Sequence, residues 1–227
     1  MHTTPALLTA AFALALGGCS TTNPPPPLVS GASGAAAIRL ITLGDRLTTA
    51  AAPLCRASLG LVDVAAVAGQ PAKQRCKVMI ELVPHPGIGA AADGATLMIS
   101  AGMLGFVRND DELAAVIAHR LAHQIADWPP ASTEPLVSLS PWPPRQPEPV
   151  FDPARERAAD RISLFVLARA GIDPAVAVAF WRRLQSLPPD ANDWLMRHPV
   201  TPARLEAMAG IVTEIAMLRE AHQALLP

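Results

Sequence analysis

Residues 110–124, DDELAAVIAHRLAHQ, set His119 and His123 four positions apart in a stretch where Leu113, Val116, Ile117 and Leu121 recur at helical spacing. On a helix those two positions share a face, so both imidazoles can meet one tetrahedral metal ion. Further along, Glu156 and Asp160 have the same spacing, in a stretch that Pro153 can open and Gly171 can close. A carboxylate on a neighbouring helix can supply a third ligand. One turn later, Asp160 can accept a hydrogen bond from a ligating histidine, which fixes its tautomer and increases its basicity. This demand constrains the fold more than any other: two helices distant in sequence must lie side by side.

The first helix is expected from Asp111 to about Asp127, capped by Asn109 or Asp110, with Asp110, Asp111 and Glu112 where the helix dipole favours acids. The second runs from Pro153 to about Ala170. Another starts at Pro174 and reaches about Leu187, and a last one follows Thr201-Pro202 nearly to the end. Upstream, Ile38, Ile41, Leu43, Leu47 and Leu54 recur at helical spacing, although Pro53 interrupts. Lys77–Val83 is apolar and β-prone and stops at Pro84-His85-Pro86-Gly87. Asp93-Gly94 signals a turn before a second short strand, Ala95–Ser100. The expectation is a helix-rich α+β domain with a small sheet over 38–227. Many of the 24 prolines gather between Trp128 and Pro153, which therefore reads as a long loop. Met98 and Met103 read as core filler, and Trp181 as core or rim packing.

Hydrophobic residues make up 51% of the chain, which argues against disorder, and a net charge of −1 with no basic run argues against nucleic acid as a partner. The run Leu7–Leu16 is too short to span a bilayer but suits a signal peptide. It ends in Leu16-Gly17-Gly18-Cys19, which resembles a lipobox, with Cys19 as the lipidated residue, although Met1–Pro5 holds no Lys or Arg. Residues 1–18 are thus expected to be a signal peptide, and 19–37, rich in Pro, Ser, Gly and Ala, a lipidated flexible tether. Ser20 after the cysteine resembles the pattern sent to the outer membrane, so a lipid anchor on its periplasmic face is expected. In that compartment Cys55 and Cys76 form a disulfide or remain two separate buried thiols.

Taken together, Asp111–His119, His123, Glu156-Arg157-Ala158-Ala159-Asp160-Arg161, Gly171-Ile172-Asp173-Pro174 and His198-Pro199 with Arg204 resemble the HtpX/Ste-type zinc metallopeptidases. These form peptidase family M48, a group of gluzincins. The resemblance covers about Val78 to Met208. It implies a zincin-like fold, zinc held by His119, His123 and Glu156, Asp160 behind His119, and protein or peptide substrates. It also makes His198 a transition-state donor or movable fourth ligand; on its own, a histidine before proline reads as a turn residue. Three departures stand out. Arg120 occupies the position of the catalytic glutamate, the stretch between His123 and Glu156 is short and proline-rich, and Ser163 stands where glycine is usual.

The departure at Arg120 decides the chemistry. In a zincin that glutamate takes the proton from the attacking water and later passes one to the leaving amine. A guanidinium stays protonated and only donates, so it cannot replace the base, and the loss costs on the order of 10²–10⁴ in rate. Its charge also weakens zinc unless relieved: either Arg120 swings toward solvent or a carboxylate and zinc stays, or it bridges to Glu156 in place of the metal. Three functions remain open: an impaired peptidase that binds envelope proteins, an active endopeptidase with a substitute base such as Glu134 or Glu148, and a metal-free structural lipoprotein.

Overall fold

The computed structural model describes residues 30–58, 78–93, 96–126, 152–188 and 198–227. Its elements are α1 (Ser30–Ser58), β1 (Met79–Val83), β2 (Ala90–Asp93), β3 (Thr96–Ser100), α2 (Ala101–Phe106), α3 (Asp110–Ala126), α4 (Pro153–Arg169), α5 (Ala175–Gln185) and α6 (Pro202–Glu220). The helix-rich α+β architecture with a small sheet is the one expected.

Helix α3 is the centre of the fold. Its residues from Glu112 to His123 are all buried, so the apolar stripe read from the sequence widens to the whole circumference. Ala114, Ala115, Ala118 and Ala122 make this possible, because short side chains let neighbouring elements approach from several sides at once. Leu113, Val116, Ile117 and Leu121 join one core with Leu40, Leu47 and Leu54 of α1, Leu164 and Phe165 of α4, and Phe180 and Trp181 of α5. The helix start is well fixed: Glu112 N–H donates to Asn109 Oδ1 at 2.9 Å, so Asn109 is the cap.

The sheet has the order β1-β3-β2, with β3 parallel to β1 and antiparallel to β2. Strand β2, Ala90–Asp93, was not expected, since alanine is a poor strand former and only its pairing with β3 reveals it. Ser100 locks the junction into α2. Its hydroxyl donates to Gly87 O at 2.6 Å and accepts from the backbone of Gly89 and Met103. Gly102 is needed at that junction: a Cβ there would lie 2.1 Å from Pro86 O.

Two expectations about α1 need correcting. Pro53 lies inside the helix and does not end it. Leu47, Ala51 and Leu54 are buried around the proline, and Arg169 Nε donates to Ala50 O at 2.8 Å in the same turn, so tertiary contacts offset the local cost. The helix also begins at Ser30, so the last part of the stretch read as a tether to residue 37 is helical; Ala35, Ala36 and Ala37 are strong helix formers. Cys55 is buried and disulfide-bonded, while its expected partner Cys76 lies outside the described residues. So do Cys19, residues 1–18 expected to be a signal peptide, Glu134, Glu148 and most of the stretch from Trp128 to Pro153 that was expected to be a loop. Among the described residues, no helix is long and apolar enough to cross a membrane.

Candidate metal centre

The site forms where α3, α4 and the segment entering α6 converge. Helix α4 starts on Asp152, whose carboxylate accepts from Ala154 N–H at 2.8 Å, with Pro153 in the first turn; this sets Glu156 one turn in and Asp160 one turn further. It stops at Gly171, which takes a positive φ of 72°. There Arg219 donates to Ala168 O, which also accepts the Gly171 N–H, and Arg46 donates to Ala170 O. Helix α6 starts on Thr201, whose hydroxyl accepts from Arg204 N–H, so Arg204 falls in its first turn. His198 precedes that turn.

Four donor groups, from His119, His123, Glu156 and His198, bring ligand atoms within 4.8 Å of one another, and all four residues are buried. The Nε2 atoms of His119 and His123 are 3.2 Å apart. Glu156 Oε1 is 3.2 Å from His123 Nε2, and Oε2 is 3.5 Å from His119 Nε2. Two ligands at the usual zinc–nitrogen length of about 2.0–2.1 Å in a tetrahedron lie roughly 3.3–3.4 Å apart, so these separations fit such a face. The donor chemistry fits as well. His119 Nδ1 faces Asp160 Oδ1 at 3.3 Å, which puts the ring proton there and leaves a lone pair on Nε2. Trp181 packs edge-on against the His119 ring at 5.0 Å, holding its plane.

A second ring of contacts surrounds this face. Arg204 grips Asp160 with two hydrogen bonds, Nε to Oδ2 at 2.7 Å and Nη2 to Oδ1 at 2.8 Å, and its Nη2 also lies 2.9 Å from Glu156 Oε2. Arg120 does not extend to solvent; it is 4% exposed, and its Nη1 lies 2.9 Å from His198 Nε2. Because a guanidinium only donates, His198 accepts at Nε2 and carries its proton on Nδ1, which donates to Glu156 Oε1 at 2.8 Å. Arg120 therefore acts on Glu156 through His198.

These contacts set the charge states. Burial pushes His123 down from 6.5 to about 3, with His119 and Arg120 adding to the effect and Glu156 opposing it, so its imidazole is neutral as a ligand must be. Burial by itself would raise the Glu156 carboxyl. Hydrogen bonds from His119, His123 and His198 outweigh it and hold the group well below the usual carboxylate range. Asp160 is lowered too, with burial opposed by hydrogen bonds from His119 and Arg204.

The descriptive match falls on this site. Residues 150–212 match the model described as Peptidase family M48. This segment of the chain is similar to peptidase family M48. The matched M48 segment contains Glu156, Asp160, His198 and Arg204, while the helix with His119 and His123 lies before it and joins it only in space. No curated protein matches the chain. The M48 family consists of zinc metallopeptidases, and the cluster of two imidazoles, a carboxylate and a third imidazole could hold that metal.

The residues singled out from the sequence thus fall in three groups. His119, His123, Glu156, Asp160, His198 and Arg120 are brought together; Cys55 is not part of the cluster; Cys19 and Cys76 lie outside the described residues. Sequence reasoning missed the double role of Arg204. It had been noted only as part of a motif, and its position in the first turn after Thr201-Pro202 is the signal that could have marked it.

Proposed function

We propose that this chain is an exported, lipid-anchored M48-type domain that binds proteins of the cell envelope at a zinc site without efficiently cutting them. The observation that carries this reading is Arg120, buried beside His119 at the position of the missing base and tied to His198. When bound, zinc would supply Lewis-acid polarisation of a peptide carbonyl. His119, His123 and Glu156 would hold it. Asp160 orients His119, and Arg204 steadies both carboxylates. At the position after His119, where the base of a zincin would stand, the guanidinium of Arg120 can only donate. Glu112, the nearest acid before His119 in α3, is committed to Arg183 and to the Arg108 backbone.

A lipid on Cys19 would place the domain at the periplasmic face of the outer membrane, where envelope proteins are its partners. The apolar leader and the Gly17-Gly18-Cys19 junction support that reading. The test is casein cleavage by the Arg120→Glu variant and by the wild type, each loaded with zinc. The variant is expected to cut about 10²-fold faster or more, in a chelator-sensitive way. Chelator-sensitive cleavage by the wild type at the variant's rate, abolished by His119→Ala, would overturn the proposal and favour a substitute base.

A further inference from the structure

The charges around the cluster carry one more step, which rests on the reading of this site as a zinc site. Among the described residues at the site, the permanent or held charges are Arg120 and Arg204, both positive, and Glu156 and Asp160, both negative. Imidazoles bind a metal only in their neutral form and so add nothing to this sum. The sum is zero before any ion enters. A divalent ion therefore raises it to plus two, in a place where every one of these side chains is less than a tenth exposed. With glutamate at position 120, the same sum would start at minus two and reach zero on loading. The arginine moves the site's neutral state from the loaded form to the empty one.

We propose that the loaded site is a receptor for an oxyanion, a carboxylate or phosphate group that enters with the metal and restores the balance. Arg120 is the residue that couples the two. In a buried site an uncompensated double charge is costly, and the open coordination position of a three-ligand centre is where an anion can offset it. The guanidinium fork is the side chain best suited to such groups. Cation and anion then bind cooperatively, and by linkage each tightens the other by the same factor. A free carboxylate at a peptide end and a small soluble anion share this chemistry.

Cobalt(II) replaces zinc as a visible reporter, and its affinity for the full chain is measured by titrating its absorption band with and without saturating acetate. In the wild type, acetate is expected to tighten cobalt by about tenfold or more. Arg120→Gln, which keeps the three ligands and removes the charge, should lose most of that gain, and Arg120→Glu all of it. Cobalt affinity unchanged by acetate in the wild type, or an equal gain in Arg120→Gln, would overturn the proposal while leaving the metal reading intact. A wild type that binds no more cobalt than His119→Ala, with or without acetate, would remove both. Repeating the titration with an acetylated dipeptide and its C-terminal amide separates the two sources. A larger gain from the free acid than from acetate assigns a peptide terminus, and an equal gain assigns a small soluble anion; no gain from either the acid or acetate counts against the proposal.

Discussion

At the start of α3, Glu112 pairs with Arg183 and accepts the Arg108 N–H at 2.7 Å, while Arg183 also lies over the Phe106 ring at 4.1 Å. Two turns further along the same helix, His119 meets His123, Glu156 and His198. Both groups mix cations with carboxylates, with Glu112 buried and Arg183 half-buried in the first. In the first, the charges cancel between two side chains, Glu112 and Arg183. In the second, nitrogen and oxygen lone pairs converge from α3 and α4 on one small volume, and only a proton or a cation between them resolves the crowding. The difference is between an ion pair that fastens the end of a helix and a group of ligand atoms that converge on one point.

That contrast can be sharpened by removing one charge from each. Arg204→Ala leaves Glu156 and Asp160 without their guanidinium and should cost about 3–5 kcal/mol in urea unfolding, part of it restored by added zinc. Glu112→Gln should cost less, about 1.5–3 kcal/mol, and zinc should restore none of it. Equal zinc rescue in both variants would erase the distinction.

A further expected effect is in pH. His123 is held at about 3 in the folded metal-free protein against 6.5 when unfolded. Between those values the unfolded chain binds a proton that the folded chain does not, so stability rises with pH, by up to about 1.4 kcal/mol per unit. This contribution is therefore lost as pH falls from 6.5 toward 3, and His123→Gln should remove it. Below the ordinary carboxylate range, Glu156 and Asp160 add to the loss, because their folded values are depressed and their stabilisation goes as they protonate. A wild-type profile identical to that of His123→Gln would show that the imidazole is not held neutral.

Much of this site was legible because its chemistry obeys helical spacing. His119 with His123, and Glu156 with Asp160, each share a face by period alone, and Pro153, Gly171 and Thr201-Pro202 marked helix ends that the structure places within a residue or two. What period cannot give is the partner of a long side chain. Arg120 was weighed between solvent, a carboxylate and Glu156, yet it reaches His198, 78 positions away in the chain. Arg204 reaches Asp160 across 44 positions. Strand β2 escaped for a related reason: Ala90, Ala91 and Ala92 have little strand preference and pair only because β3 is there. Pro53 misled in the opposite direction, since packing around Leu47, Ala51 and Leu54 overrides a local helix breaker.

The most direct measurement is the zinc content of the full chain, purified without chelators and then titrated with zinc, beside His119→Ala treated in the same way. Convergent lone pairs on His119, His123 and Glu156 require one zinc bound per wild-type chain and none at this site in the variant. Equal zinc in both proteins, or no binding by the wild type, would contradict the reading of these two helices as the walls of a metal centre.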